Sequence, residues 1–250
     1  MTTILGLAPW TFAYALLVVV AGGFLKGYSG FGASMLWATA LSMVLPPAEI
    51  VPMVLLFEVA SSLQLLPGVR REVEWRSVGL LLVGAVIGTP VGSWALAALP
   101  ADPIRIVIAL VALLGSIAIA SGFAWKGRPG LAAILAVGIV FGVINGSTTV
   151  GGPPVVLFYF ATPVGAAASR ASIIAFFLMT DAYAAAWNAV NGLLTWQVLA
   201  RTALFLPAML LGVWLGARHF IQTSPDSFKR FALILLMALG AALLLRTLLA

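Results

Sequence analysis

The chain has 250 residues, of which 63% are hydrophobic and only 8% are charged. Soluble domains average roughly 45–50% apolar and about 25% charged residues, so the composition excludes a soluble globule and indicates an integral membrane protein. The absence of cysteine excludes disulfides and thiolate metal sites, and one histidine excludes most zinc sites. We therefore expect neither a cofactor nor a metal. The net charge of +6 is spread over loops, which argues against a nucleic-acid partner.

Ten apolar segments follow one another along the chain, and a membrane-spanning helix needs about 20 mainly apolar residues. The runs are continuous rather than alternating, which favours helices over strands. No polar linker divides the chain, so residues 1–250 form one domain. The predicted fold is an all-α integral membrane protein with about 8–10 transmembrane helices. The segments cover residues 10–25, 34–45, 50–66, 78–99, 104–123, 131–144, 155–161, 171–190, 196–215 and 231–249, and the first two of each half are short or broken.

The two halves of the chain share an ordered pattern of residues. The pattern Gly23-x3-Gly27-x4-Gly32 returns 119 residues later as Gly142-x3-Gly146-x4-Gly151. Ordered matches with small insertions predict a duplication, with repeat 1 at about 8–125 and repeat 2 at about 129–250. Each repeat holds five segments, an odd number, so the second repeat should enter the membrane inverted. The further matches are Trp75 with Trp196, Gly88-x3-Gly92 with Gly212-x3-Gly216, and Asp102 with Asp226.

The basic residues of the loops divide unequally between the two sides that this topology predicts. Cytoplasmic loops carry an excess of Lys and Arg, so the richer side should face the cytoplasm. Both termini should then lie on the non-cytoplasmic side of a bacterial-type inner membrane. The poorer side receives only Arg105 and Arg246. The richer side receives nine: Arg70, Arg71, Arg76, Lys126, Arg128, Arg170, Arg218, Lys229 and Arg230.

Inverted repeats of this kind are typical of secondary transporters, whose sites lie near the midplane where matching segments are interrupted by Gly or Pro. Residues 23–32 and 142–154 are such a pair. Their free backbone N–H groups and their hydroxyls could bind an anion, whereas close helix packing is the alternative role. The candidate substrate-binding residues are Lys26, Gly27, Tyr28, Ser29, Gly30, Gly32, Asn145, Gly146, Ser147, Thr148, Thr149, Gly151 and Gly152.

These two motifs carry a family resemblance over essentially the whole chain. The stretches Gly23-Phe-Leu-Lys-Gly-Tyr-Ser-Gly-Phe-Gly32 and Gly142-Val-Ile-Asn-Gly-Ser-Thr-Thr-Val-Gly-Gly-Pro-Pro154 resemble the glycine-rich motifs of the TauE/SafE sulfite-exporter-like transporters. The resemblance implies a permease for a small anion, often sulfur-containing, such as sulfite or an organosulfonate. It selects neither the substrate nor the direction of transport. The partners are then a small anionic substrate and the lipid bilayer, and a homodimer is compatible with the sequence.

Three charged residues are candidates for function. Lys26 lies within the first glycine-rich motif, and Glu58 and Asp181 lie in the middle of apolar segments, where ionisable groups are costly and usually functional. Lys26 either binds the anion or snorkels to the cytoplasmic interface as an anchor. Glu58 and Asp181 lie in the third segment of their halves and either carry a coupling ion, a proton or Na⁺, or make a structural hydrogen bond. Asp181 is favoured for coupling, because Thr180 and Tyr183 offer hydroxyl groups nearby. Arg170 is expected to be an interfacial anchor rather than a gate.

Two other functions are weighed against a permease that works by alternating access. Gly27-Tyr-Ser29-Gly30 matches the Gly-x-Ser-Gly of intramembrane serine proteases. Such a serine needs a general base from another helix, and the single histidine, His219, is expected at the cytoplasmic end of its segment, so we do not expect an enzyme. A passive anion channel is the alternative from another class.

The loop charges lead to a labelling prediction. Single cysteines introduced at 70–76 or 126–130 should be protected from an impermeant thiol reagent added outside intact cells, whereas cysteines at 2–6 should react. The native chain has no cysteine, so the wild-type protein is the unlabelled control. An N-terminus that reacts only from the cytoplasmic side would overturn the predicted topology.

Overall fold

The computed structural model describes residues 5–122, 130–161, 165–219 and 225–249. These ranges contain α-helices, one short 3₁₀ turn at Arg70–Glu72 and no strand, so the all-helical prediction is confirmed for them. Within the described ranges, seven helices are long and apolar enough to cross a membrane: α1, α3, α4, α5, α6, α8 and α9. The helices are α1 Pro9–Ser29, α2 Ala33–Leu41, α3 Pro47–Val69, α4 Trp75–Ala98, α5 Ala101–Ala120, α6 Leu131–Thr148, α7 Gly152–Ala161, α8 Ala166–Val190, α9 Trp196–His219 and α10 Pro225–Leu249.

The first helix of each half is longer than the sequence predicts. Helix α1 has 21 residues and continues to Ser29, and α6 has 18 residues and continues to Thr148. The prediction that these segments are short is therefore wrong, because most of each glycine-rich motif forms the last turns of a helix. The second helices are short as predicted, with 9 residues in α2 and 10 in α7.

Glycine persists inside α1 and α6 because each helix packs backbone to backbone against another helix. A Cβ on Gly142 of α6 would lie 2.5 Å from the Ala85 carbonyl oxygen of α4, and one on Gly23 of α1 would lie 2.5 Å from the Met209 carbonyl oxygen of α9. Small residues allow helices to approach this closely in a bilayer. The glycines of α4 and α9 on the other side of these contacts serve the same close packing, since they face the backbones of α6 and α1: Gly84, Gly88, Gly92, Gly212 and Gly216.

Helices α3 and α8 pack against each other and connect the rest of the bundle. Helix α3 also contacts α9, α8 also contacts α4, and α5 packs against α10. The short helices fill the remaining contacts, α2 against α10 and α7 against α5. Trp37 of α2 is fully buried and donates its indole N–H to the Val19 carbonyl oxygen at 3.1 Å. Helix α1, which carries most of the first glycine-rich motif, contacts α3, and α6, which carries most of the second, contacts α8.

The close approach of α4 and α6 predicts unequal effects of valine at two glycines of α4. Gly88→Val would force its side chain into the Ile139 carbonyl and the Val143 N–H of α6, and overpacking of this kind costs about 1–3 kcal/mol or more. Gly79 has no atom within 4 Å of its Cβ position, so Gly79→Val is the matched control. Thermal unfolding in detergent should show a large loss for Gly88→Val and a small change for Gly79→Val. Equal losses would contradict the packing.

Candidate functional site

A buried ion pair joins α1 to α3. Lys26 lies in the last turn of α1, and Glu58 lies in the middle of α3, eleven residues from either end. The Lys26 ammonium donates to Oε2 of Glu58, and the two side chains are 0% and 2% exposed. The second oxygen of Glu58, Oε1, has no hydrogen-bond partner among the described residues. The pair therefore leaves one buried acceptor unused.

The burial of Lys26 decides between its two predicted positions. A snorkelling lysine keeps its ammonium in the water or headgroup region, whereas this ammonium ends inside the protein on a carboxylate. The snorkelling alternative is wrong, because the ammonium is enclosed by protein and paired with a carboxylate of α3. Lys26 also lies over the ring of Phe177 of α8, with Nζ 5.0 Å from the ring centroid, a distance typical of a cation–π contact.

A second buried polar pair occupies the corresponding positions of the other half. Asn145, 119 residues after Lys26, donates its amide N–H to Oδ1 of Asp181 at 2.7 Å. Asp181 lies 123 residues after Glu58 and is 2% exposed. The Asp181 carboxyl also lies within electrostatic range of Glu58 and Lys26. The two pairs therefore form one buried cluster, which we call the central cluster: Lys26, Glu58, Asn145 and Asp181.

Phe177 of α8 connects the two glycine-rich motifs at the central cluster. Its ring faces the Lys26 ammonium on one side, and its Cζ atom lies 3.6 Å from the Cβ position of Gly152. The same ring stacks with Phe141 of α6 at a centroid distance of 5.8 Å. Phe177 precedes Asp181 by one helical turn, so the ring and the carboxyl lie on one face of α8. The predicted residues Lys26, Asn145 and Gly152 are thereby brought together.

The hydroxyl groups expected beside Asp181 bind elsewhere. The Thr180 hydroxyl donates to the Phe176 carbonyl oxygen of its own helix at 2.9 Å, and the Tyr183 hydroxyl contacts the Val86 carbonyl oxygen at 3.4 Å. The prediction that Thr180 and Tyr183 form the polar surroundings of Asp181 is wrong. The partner is the Asn145 amide, which α6 brings to it.

The three hydroxyl groups at the end of α6 differ in what they contact. Ser147 donates to the Val143 carbonyl oxygen at 2.8 Å, and Thr148 donates to the Ile144 carbonyl oxygen at 2.6 Å, both within α6. Thr149 has a positive φ of 60°, which is strained for a β-branched residue. Its buried hydroxyl has no hydrogen-bond partner in the described part of the chain. Thr149 is therefore the hydroxyl most available to a ligand.

The end of the first motif is built around two left-handed glycines, and Gly30 ends α1. Gly30 and Gly32 have φ values of 82° and 83°, which glycine adopts at little cost. The Ser29 hydroxyl lies 2.7 Å from the Leu25 carbonyl oxygen, and Tyr28 is buried and stacks on Phe24. These contacts hold the chain reversal before α2.

Arg170 of α8 contacts this reversal. Its guanidinium donates to the Gly27 carbonyl oxygen at 2.9 Å, and its Cγ would lie 2.9 Å from a Cβ on Gly30. The carbonyl oxygens at the end of α1 attract the cation, and the role of Arg170 as an interfacial anchor rather than a gate stays a prediction. Arg170 adds a second positive charge near the first motif.

Three predicted site glycines face protein backbone or side chains. A Cβ on Gly146 would lie 2.6 Å from the Thr89 carbonyl oxygen of α4, and one on Gly27 would collide with the Val213 carbonyl of α9. A Cβ on Gly151 would lie 2.8 Å from the Cβ of Asn145. The small size of these residues is therefore needed for packing and, at Gly151, for the position of Asn145.

Sequence reasoning missed two features of the site region. Phe177 carried no polar signal, although its spacing of four from Asp181 could have placed it on the same face. Arg201 of α9 is 5% exposed, forms an ion pair with Glu49 of α3 and donates to the Leu5 carbonyl oxygen at 3.1 Å. This pair connects the first turn of α3 to the second turn of α9, away from the central cluster.

Comparisons with known proteins agree on one family. The family model described as "Sulfite exporter TauE/SafE" matches residues 14–243. The chain is 26% identical over 234 residues, 90% of each protein, to a protein of Cupriavidus necator (strain ATCC 17699) described as "Probable sulfite/organosulfonate exporter TauE". No solved structure matches.

The pairing of Lys26 and Glu58 predicts a coupling between their substitutions. Lys26→Gln alone leaves a buried carboxylate without its cation, which costs about 3–5 kcal/mol. Lys26→Gln with Glu58→Gln removes both charges and should recover most of that loss. Arg105→Gln, which breaks the half-exposed pair with Asp102, should cost about 0–1 kcal/mol. Thermal unfolding in detergent measures all three, and additive losses for Lys26 and Glu58 would contradict a direct pair.

Proposed function

Because the chain belongs to the sulfite exporter TauE/SafE family, we propose that it is a secondary transporter that moves sulfite or an organosulfonate across the membrane by alternating access. The family is one of transporters, so the protein is a multi-pass membrane transporter and not an enzyme. The observation that carries the finer proposal is the fully buried Lys26 ammonium, which lies over Phe177, the ring that also contacts Gly152 of the second motif.

The chemistry of the central cluster suits a small oxyanion. A sulfite or sulfonate group presents three oxygens that each accept hydrogen bonds, and charge-assisted bonds to a buried ammonium are the strongest available. Lys26 supplies that charge, and the unpartnered hydroxyl of Thr149 is a candidate for a second bond. The remaining motif residues shape the space, because their packing fixes the ends of α1 and α6.

The proposal includes two inverted repeats, and the helix contacts support it. If α1–α5 correspond to α6–α10, the pairing of α1 with α9 has its counterpart in that of α6 with α4. In the same way, α2 with α10 corresponds to α7 with α5, and α3 with α9 corresponds to α8 with α4. The pairs α3 with α8 and α5 with α10 correspond to themselves. This is the pattern of a two-fold relation between halves.

Alternating access is supported by the enclosure of the central cluster. Lys26, Glu58, Asn145 and Asp181 are all at most 3% exposed, as expected for an occluded state between two open ones. Glu58 and Asp181 are the candidates for binding a coupling proton or Na⁺. The loop charges support an inner-membrane orientation with both termini outside.

Binding of the anion can be tested without identifying the natural substrate. A ligand that binds only the folded protein raises its unfolding temperature, so purified protein is screened against sulfite, methanesulfonate and acetate. Lys26→Gln with Glu58→Gln keeps the cluster neutral but removes the cation, and affinity should fall at least about tenfold, or ~1.4 kcal/mol. Arg105→Gln is the control, and a double variant that binds as tightly as wild type would contradict the site.

The hydroxyl of Thr149 gives a finer test of the same site. Thr149→Val retains the branched shape but removes the donor, and it should weaken anion binding by about 0.5–1.5 kcal/mol. Thr202→Val is the matched control, since that buried hydroxyl donates to the Val198 carbonyl oxygen of its own helix at 2.8 Å. An equal loss of anion affinity in both variants would exclude a specific contact with Thr149.

Flux into proteoliposomes distinguishes a transporter from a passive channel. A transporter that alternates between two states should exchange labelled sulfite for internal unlabelled sulfite faster than it shows net flux, and the flux should saturate. Unsaturated flux at channel-like rates, driven by voltage and concentration alone, would favour the passive channel.

A further inference from the structure

Oε2 of Glu58 occupies the position on the Lys26 ammonium that an oxygen of a bound anion would need. We propose that Glu58 is a built-in competitor of the transported anion: the anion displaces Glu58 from Lys26, Glu58 takes up a proton, and one proton therefore crosses with each anion. This inference rests on the proposed function and names the coupling ion of the same site. It also gives the otherwise costly buried pair a role in the transport cycle.

The charges of the central cluster require such a proton. Moving unbalanced charge into a buried site is expensive, and the cluster contains one ammonium and two carboxyl groups. In the structure the Lys26 cation is balanced by Glu58, while the Asp181 carboxyl contacts the neutral Asn145 amide. A buried carboxyl with only a neutral partner costs less as the protonated acid, so Asp181 is neutral in the proposed cycle. A bound monoanion adds one negative charge. Uptake of one proton by Glu58 restores the balance.

Among the charged groups of the helices that pack against α3, Lys26 and Asp181 are the ones that act electrostatically on Glu58. Helices α2 and α6 carry no Asp, Glu, Lys, Arg or His, and the Glu49 carboxylate of α3 is paired with Arg201. Tyr28 of α1 and Arg170 of α8 contact other groups at the end of α1. The remaining charged or imidazole groups of the elements that pack against α3 lie in the connecting turn or near helix ends: Arg70, Arg71, Glu72, Arg76, Asp102, Arg105, Arg218 and His219.

The exchange can be written with every atom accounted for. The contact between the Lys26 N–H and Glu58 Oε2 breaks, and the same N–H donates to an oxygen of the anion. A proton from water on the open side binds the Glu58 carboxylate, for which the unpartnered Oε1 is available. No covalent bond of the anion forms or breaks. After the anion leaves on the other side, Glu58 releases the proton there and returns to Lys26.

The difference between the two halves assigns the coupling to Glu58 rather than to Asp181. Asn145 stands where the first half has Lys26, and a neutral amide does not hold a carboxylate in its charged form as an ammonium does. Asp181 therefore keeps its proton throughout the cycle, and only Glu58 alternates between charged and neutral. Replacement of each acid by its amide then gives opposite results.

The wild-type protein provides the first test through the pH dependence of binding. Methanesulfonate is the probe, because it stays a monoanion across the neutral range. If one proton binds with each anion, its affinity should rise by about tenfold for each unit of decrease in pH while Glu58 is ionised in the empty protein. Binding that does not depend on pH would overturn the inference but leave the proposed function standing. No binding at any pH would instead contradict the proposed function.

Variants provide the second test and identify the acid. Glu58→Gln, purified with methanesulfonate to keep Lys26 paired, should bind the probe at least tenfold more tightly at neutral pH and with no pH dependence. Asp181→Asn should keep the wild-type pH dependence, as should the control Asp102→Asn at the exposed start of α5. Should Asp181→Asn rather than Glu58→Gln lose the pH dependence, the assignment to Glu58 is wrong.

Proteoliposomes provide the third test and remain decisive if Glu58→Gln fails to fold. Methanesulfonate entry through the wild-type protein should acidify a trapped pH dye with one proton per anion, and an inward proton gradient should drive accumulation. Replacement of Na⁺ by K⁺ should change neither result. Accumulation driven by a Na⁺ gradient, or anion entry without acidification, would overturn the proposal.

Discussion

A lysine ammonium that is enclosed by protein inside a membrane must end on an anion, and this constraint organises the centre of the molecule. Lys26 ends on Glu58, which ties the last turn of α1 to the middle of α3. The position of α1 in turn places Lys26 over Phe177 of α8, beside the second glycine-rich motif and the pair of Asn145 with Asp181. Loss of that one pair would leave a buried charge without a counter-charge. It would also remove the contact that holds α1 to α3 at the site.

The glycines determine how far α1 and α6 extend. Both helices run against a second backbone, α1 against α9 and α6 against α4, at distances that leave no room for a Cβ. Small size at Gly27 and Gly146 is therefore required for helix packing, and the same packing positions Lys26 and Asn145, each one residue earlier in the chain. Packing and binding are consequently not separate roles for these motifs. A bulky substitution there would change the site by moving the helix that carries it.

The sequence predicted those features that depend on composition and spacing. The apolar segments fixed the membrane class and the helical fold, and the spacing of Glu58 and Asp181 indicated related positions in the two halves. It could not predict that Lys26 pairs with Glu58, because that depends on the rotation of α1 relative to α3. For the same reason it missed Phe177 and the contact of Arg170 with the end of α1, and it assigned the wrong partners to Asp181. The length of α1 was underestimated because Gly and Ser residues end isolated helices but not helices supported by a neighbouring backbone.

The exchange of partners on Lys26 is the central claim of this account, and infrared difference spectroscopy tests it most directly. Methanesulfonate is added to the protein in lipid, and the carboxyl region of the spectrum is compared before and after binding. The account predicts loss of a carboxylate band and gain of one protonated carboxyl band, with both changes absent in Glu58→Gln and present in Asp181→Asn. Anion binding that leaves the carboxyl bands of the wild-type protein unchanged would show that Glu58 stays charged on Lys26, and would contradict the account.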